Sequence, residues 1–313
     1  MIKQVTSTIM MIRPVAFSFN QETAVNNYYQ KVIKDLGKDQ VQYLAQKEFD
    51  SFVKKLRSID IEVLVVDDTI EPHTPDSIFP NNWISFHQDG RVALFPMFAE
   101  NRRLERREEI LLELKEKYDF EISEQFDFSH YEAQNLFLEG TGSILLDRVH
   151  KVAYASISLR TNPEILNHFC SVFGYEPFVF TAYQSVGNNR LPIYHTNVMM
   201  CLGEYFAILC SDCIDDAVER KSLISRITDS GKELIYISED QKHRFAGNML
   251  QLKNKHGQNY LVMSKSAYLS LNDEQIKQIE KYCTIIYSSL DTIEAIGGGS
   301  ARCMMAEVFL PKK

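Results

Sequence analysis

Trp83-Ile84-Ser85-Phe86-His87 and Arg91-Val92-Ala93-Leu94-Phe95 enclose Asp89-Gly90. Two apolar-alternating runs around a tight polar turn are the strongest short-range sign of a β-hairpin. The pattern recurs three times: Ser143-Ile144-Leu145-Leu146 and Lys151-Val152-Ala153-Tyr154 around Asp147-Arg148, Asn197-Val198-Met199-Met200 and Phe206-Ala207-Ile208-Leu209 around Gly203-Glu204, and Met249-Leu250-Gln251-Leu252 and Tyr260-Leu261-Val262-Met263 around His256-Gly257. The turns fall at 90, 147, 203 and 257, so they are spaced by 57, 56 and 54 residues. Helical periodicity fills the gaps, over Arg103 to Lys117, Pro163 to Phe173, Asp215 to Asp229 and Asn272 to Cys283. The chain therefore reads as an internal repeat of strand, strand, helix and strand.

Units of this size cannot bury their faces alone, so they point to a closed radial arrangement. A fifth unit would hold Cys303-Met304-Met305-Ala306-Glu307-Val308-Phe309, with the strand near Thr8 to Ile12 completing it. An open α+β sheet with accidental spacing is the alternative. Eight residues before each turn stand Asn82, Glu139, His195 and, before His256, Asn248. In a ring of pseudo-symmetric units these polar positions converge on the axis, where a site would be assembled from several repeats.

Composition bounds the rest. The chain has 313 residues, 45% hydrophobic and 24% charged, which is ordinary globular usage. No Pro/Gly/Ser-rich linker or charge block marks a seam, so residues 1–313 are read as one domain. A net charge of −8, without a basic patch undiluted by glutamates, argues against nucleic acid and anionic membrane surfaces as partners. The apolar Ile9-Met10-Met11-Ile12 is too short for a secretory core, and no run is long enough to span a membrane. Six cysteines in such a chain read as reduced thiols, so a cytoplasmic location is expected.

Gly297-Gly298-Gly299-Ser300-Ala301-Arg302-Cys303 is the sharpest local feature, three glycines delivering a cysteine to the start of an apolar strand. Glycines allow close backbone approach, and a deprotonated thiol is a good nucleophile. For Cys170, Cys201 and Cys283 the plain reading is a small buried hydrophobe. Cys210-x-x-Cys213 lacks the second ligand pair that a zinc site needs. Tyr194-His195-Thr196-Asn197 puts His195 and Asn197 on one face of a strand, and His195 can shuttle protons. Leu138-Glu139-Gly140-Thr141-Gly142 sets a carboxylate before two glycines, and Pro75-Asp76-Ser77-Ile78-Phe79-Pro80-Asn81-Asn82-Trp83 ends in two amides. A structural histidine and ordinary polar turns are the plain alternatives for these three, but Cys, His, Glu and Asn at matched places in successive repeats point together to one site.

From Met11-Ile12-Arg13-Pro14 to the Cys303 segment, the chain resembles the guanidino-group-modifying superfamily, the penteins, which includes arginine deiminases, dimethylarginine hydrolases, amidinotransferases and succinylarginine dihydrolases. It is most similar to the amidinotransferase-like branch named for citrulline utilisation. The resemblance implies an α/β fold, a five-bladed β/α propeller of pseudo-symmetric ββαβ repeats with its site on the axis. It also implies Cys303 as nucleophile, His195 as general acid/base and Glu139 as the carboxylate that binds the reacting group. Ser158-Leu159-Arg160-Thr161-Asn162 resembles the stretch whose arginine holds the substrate carboxylate, and Asn101-Arg102-Arg103 resembles a segment where Arg102 would play a similar part. The plain reading of either arginine is a surface ion pair, and it is favoured for Arg102.

The chain departs from the family in its carboxylates. Asn81-Asn82 stand where related enzymes have an acidic pair, and His195-Thr196-Asn197 stands where deiminases have His-Thr-Asp. Amides offer a donor and an acceptor and suit a neutral ureido group better than a buried cation. The expectation is a cysteine-dependent hydrolase converting citrulline to ornithine, ammonia and carbon dioxide, with Asp76, Asn81, Asn82, Asn197, Arg160 and Arg102 around the substrate. No metal or organic cofactor is needed, the partner is a small amino acid, and a homo-oligomer is left open. A deiminase, dihydrolase or amidinotransferase acting on arginine, and a non-catalytic binding propeller, are the alternatives.

Overall fold

The structure, a computed structural model, describes residues 2–33 and 36–313. Among them are five three-stranded sheets and one two-stranded hairpin. Ile84–Phe86, Arg91–Leu94 and Glu124–Asp127 form the first sheet, antiparallel then parallel. Ile144–Asp147, Val152–Ser156 and Glu176–Phe180 repeat that pattern. So do Met200–Leu202, Phe206–Leu209 and Glu233–Tyr236, and then Leu250–Lys253, Asn259–Ser264 and Thr284–Ser288. A parallel third strand needs a crossover, which is why a helix sits between the second and third strand of each.

The fifth sheet joins the two ends of the chain. Ala306–Glu307 pairs antiparallel with Thr8–Arg13, which pairs parallel with Glu62–Asp67. Its crossover is the helix Lys38–Ser58, which buries Val41, Ala45, Phe49, Phe52, Val53 and Leu56 along one stripe. That helix lies outside the hairpin repeat and was not anticipated. The crossover Pro163–Phe173 has the predicted bounds. Asn162 caps it by accepting from the Glu164 N–H, proline occupies the first turn, and Ile165, Leu166, Phe169, Cys170 and Phe173 line its buried face. Asn272 caps Asp273–Glu280 in a reciprocal capping box with Gln275. The helix expected over Arg103 to Lys117 is split into Glu100–Arg103 and Glu108–Glu116.

Each apolar cluster is shared between sheets. Phe95 and Ala93 of the first meet Ile144 and Ala155 of the second. The second, third and fourth sheets share another cluster, and Leu252 and Val262 of the fourth pack with Ile9 and Met11 of the fifth. Met10 and Leu64 of the fifth sheet then pack on Ile84 and Val92 of the first.

Two local expectations are corrected. His195 and Asn197 do not share a strand face: Thr196–Val198 is a single 3-10 turn whose Met199 N–H bonds back to Thr196, so Asn197 swings out of the line of extended His195. Cys303 likewise sits in a turn, its N–H bonded to the Ser300 carbonyl, and the strand after it is only Ala306–Glu307. A turn aims the side chain away from the sheet and toward the other units.

Candidate active site

The polar positions of the repeat meet. Cys303 Sγ accepts from Asn248 Nδ2 at 3.2 Å and from Asn197 Nδ2 at 3.6 Å. The orientation of Asn248 is fixed by its partners: the Arg302 backbone N–H donates to Oδ1 at 3.1 Å, so Nδ2 must be the atom shared between Cys303 and the Asn197 carbonyl. Two amide N–H groups thus point at one sulfur.

His195 Nε2 lies 2.7 Å from Glu139 Oε2. Glu139 Oε1 accepts from the Phe98 N–H at 3.0 Å, and Oε2 also receives Arg160 Nη1 at 3.3 Å. Burial opposes the charge on Glu139, but Arg160, the His195 bond and Arg102 outweigh it and hold the carboxyl well below its usual range. Burial pulls His195 down to about 4, against the Glu139 carboxylate that raises it. The imidazole is therefore neutral at pH 7, donates from Nε2, and keeps Nδ1 as its basic atom.

Gly142 is where Asn82 and His195 come closest to the neighbouring backbone. A Cβ there would stand 2.4 Å from Asn82 Nδ2 and 2.9 Å from His195 Nδ1, so only glycine fits. Gly298 needs glycine for a different reason: it ends the helix Asp291–Gly297 with φ of +64°. Its carbonyl accepts from Tyr194 Oη at 3.0 Å, which ties the glycine loop before Cys303 to the residue preceding His195.

Arg102 is not a surface ion pair. It is 2% exposed and grips Glu105 with two bonds, Nε to Oε1 at 2.8 Å and Nη2 to Oε2 at 2.9 Å. Nη1 donates to Asn82 Oδ1 at 2.8 Å, which turns Asn82 Nδ2 inward. Arg102 thus spends its fork on Glu105 and its remaining Nη1 on Asn82. Arg160 is also buried. Nε donates to Asn26 Oδ1 at 2.9 Å, Nη2 reaches the same oxygen and the Thr23 carbonyl, and the guanidinium lies 4.9 Å from the Tyr194 ring. Asp76 Oδ2 accepts from Asn20 Nδ2 at 2.8 Å and Thr23 Oγ1 at 3.0 Å, and burial pushes its carboxyl up.

One segment thus covers the site. Asn20, Thr23 and Asn26 occupy Asp76 and Arg160, and Asn27 Nδ2 donates to the carbonyls of Gly297 and Gly298 at 3.2 and 3.4 Å. The cavity beneath, lined by Asp76, Asn82, Arg102, Arg160, His195 and Cys303 among others, has a volume of about 20 Å³. That is room for about one water. Larger cavities, of about 530 and 600 Å³, hold none of the candidate side chains. Sequence reasoning missed this segment, which has no periodicity, and Glu105; it placed Asn248 in the repeat without a role.

Buried polar atoms without partners are rare and mark ligand contacts or waters. Here they include both amide atoms of Asn81, Asn82 Nδ2, Asn197 Oδ1 and Asp76 Oδ1. The site therefore holds a thiol with amide donors, a neutral imidazole oriented by a carboxylate, two buried arginines, and a set of unpaired amides.

A thiol, an imidazole and a carboxylate assembled from separate repeats fit the class of guanidino-group-modifying enzymes, and the family match agrees. Residues 13–310 match the model of the family described as N,N dimethylarginine dimethylhydrolase, eukaryotic, and the chain belongs to that family. No curated protein matches. Among solved structures the fold is similar to ArgZ, an arginine dihydrolase from the ornithine-ammonia cycle in cyanobacteria, at 16% identity and a TM-score of 0.73, over 98% of this chain and 41% of that one. The chain thus spans about two fifths of that protein. The N-terminal domain of ArgZ bound to substrate is matched at 17% identity and a TM-score of 0.70, over 96% of this chain and 97% of that one. A dimethylarginine dimethylaminohydrolase in adduct with S-methyl-L-thiocitrulline is similar at 14% identity and a TM-score of 0.63, over 97% and 99% of the two chains.

Proposed function

We propose that this protein hydrolyses the ureido group of a citrulline-like amino acid through Cys303, yielding ornithine, ammonia and carbon dioxide. The unpaired amides carry the reading. Asn82 Nδ2, whose residue lines the cavity, needs an acceptor, and Asn197 Oδ1, on the amide that donates to Cys303, needs a donor; Asn81, also unpaired, does not line the cavity. A ureido group supplies both in its C=O and NH2, whereas a guanidinium has only donors and would leave Asn82 Nδ2 unmet.

In this reading His195 takes the thiol proton on Nδ1, and the thiolate, held by Asn197 and Asn248, attacks the ureido carbon. The imidazolium, steadied by Glu139, then protonates the departing ornithine nitrogen, and an S-carbamoyl enzyme remains. Water deprotonated by His195 attacks that carbonyl, the C–S bond breaks, and carbamate leaves to decay to ammonia and carbon dioxide. Arg160 and Asp76 suit the carboxylate and ammonium ends of the amino acid, once Asn20, Thr23 and Asn26 withdraw. Residues 1–313 form one domain in this account, a five-bladed propeller. Its support is the run of shared cores that leads from the fifth sheet back to the first.

A second reading is dihydrolysis of arginine, in which a ureido species is formed first and then cleaved. It is favoured by the free Asp76 oxygen and by the likeness to an arginine dihydrolase. Incubation with citrulline, arginine and dimethylarginine, with ornithine and ammonia assayed, separates the readings. Ornithine from citrulline but not from arginine supports the first, ornithine from both supports the second, and turnover undiminished in Cys303→Ala overturns both.

A further inference from the structure

The proposed reaction uses neither Cys210 nor Cys213. Cys210 follows the strand Phe206–Leu209 and precedes the single 3-10 turn Ser211–Cys213, which the Cys213 N–H closes onto the Cys210 carbonyl at 3.3 Å. In a 3-10 turn the side chains three residues apart eclipse. The two sulfurs accordingly stand 3.3 Å apart, with the Cys213 thiol donating to Cys210. Three 3-10 steps advance the backbone by about 6 Å, inside the roughly 4.4–6.8 Å between Cα atoms that a disulfide spans. Closing the sulfurs to about 2.05 Å therefore needs side-chain rotation more than backbone movement.

A buried cation lies nearby. The Lys242 side chain is 0% exposed, donates to Gln184 Oε1 at 2.9 Å, and has its nearest carboxylate, Glu239, at 4.0 Å. A desolvated ammonium with so distant a counter-charge stabilises an anion beside it. The Cys213 bond and the Lys242 charge together hold the Cys210 thiol below its ordinary range. Cys170 and Cys283 have no such help, Cys201 has only the Arg302 charge, and burial pushes each up to about 12. Neither thiol of the pair lines the cavity around Cys303.

We propose that Cys210 and Cys213 form a reversible dithiol–disulfide site, separate from the catalytic cysteine and oxidised by hydrogen peroxide or an organic hydroperoxide. The Cys210 thiolate attacks the peroxide, so an S–O bond forms, the O–O bond breaks, and the hydroxide or alkoxide released takes a proton. Cys213 then attacks the sulfenic sulfur, the S–S bond forms, the S–O bond breaks, and water carries off the Cys213 proton. Two thiols lose two electrons and one peroxide is reduced. An external dithiol returns the pair to the reduced state by exchange. Lys242 Nζ also lies 5.7 Å from the ring of Tyr29, two residues beyond the covering segment and in the same apolar cluster as both cysteines.

The test treats the reduced full chain with an equimolar amount of hydrogen peroxide, then denatures it, alkylates it with iodoacetamide and maps the peptides by mass. The peptide spanning 210–213 is expected to be lighter by two hydrogens and free of alkyl groups, and to regain both after dithiothreitol, while Cys170, Cys201 and Cys283 are fully alkylated. In Cys213→Ser a dimedone adduct accumulates at Cys210, and in Cys210→Ser none forms at Cys213. Full alkylation of both Cys210 and Cys213 in the wild-type chain, under conditions that oxidise Cys303, overturns the proposal. Equal dimedone labelling in the two variants also overturns it.

Discussion

The imidazole of His195 and the carboxylate of Glu139 form a fully buried pair, Nε2 to Oε2 at 2.7 Å, with Glu139 held in place by a backbone N–H and by Arg160. Glu139→Gln keeps the shape and removes the charge. Turnover is expected to fall about 10²–10⁴-fold with substrate binding less affected, as measured by kcat against KM. The His195 titration, followed by NMR, should move still further down, because the carboxylate is what raises it.

Two buried histidines should contribute a loss of stability on mild acidification. His195 is lowered from 6.5 to about 4 and His87 also lies well below 6.5, both through burial. At these two sites the unfolded chain binds more protons than the folded one, so their contribution is lost as pH falls from about 6.5, and Glu139, whose folded carboxyl is depressed, adds a loss of the same sign at lower pH. Glu105 and Glu294, which burial raises to about 7, act with the opposite sign in the same window, so the histidine contribution is read by difference. Between pH 7 and pH 4 the melting temperature of His195→Gln or His87→Gln should lose less on acidification than that of the wild-type chain, and parallel curves would mean that the histidine does not contribute.

Asn248→Ala removes the closer amide donor from Cys303. A hydrogen bond to a charged group is worth about 1.5–3 kcal/mol, so kcat/KM should fall about 10–100-fold. The rate of Cys303 alkylation by iodoacetamide at pH 7 should fall with it. An unchanged rate would mean that the sulfur does not depend on that amide.

Gly142→Ala places a methyl 2.4 Å from Asn82 Nδ2. Displacing Asn82 and His195 by about 1 Å should reduce activity about 10²-fold while the circular dichroism spectrum stays native.

Asn27→Ala removes two bonds from the covering segment to the glycine loop. At about 1 kcal/mol for a neutral bond, Cys303 in the free protein should be alkylated at least about fivefold faster. No acceleration would place the route to Cys303 elsewhere.

How far the sequence reached depends on how local each signal is. The helix Pro163–Phe173 was legible at both ends, because Asn162, Pro163 and the apolar stripe act within a turn or two of themselves. The hairpin repeat was legible for the same reason, and it led to Asn82, Glu139, His195 and Asn248 as equivalent positions. The helix Lys38–Ser58 was missed because no hairpin precedes it; its unit takes its first strand from the other end of the chain.

From the sequence alone came the four hairpin repeats, the cysteine behind three glycines, and the amides in place of carboxylates, since periodicity, turn chemistry and residue type are properties of short stretches. Only the tertiary structure decided that Arg102 is buried against Glu105 and orients Asn82, that Asn248 donates to Cys303, and that residues from Asn20 to Asn27 lie across the site. Those relationships join groups that are distant along the chain, such as Asn27 and Gly297. The energies that select them, desolvation and the pairing of buried polar atoms, exist only once the sheets have packed.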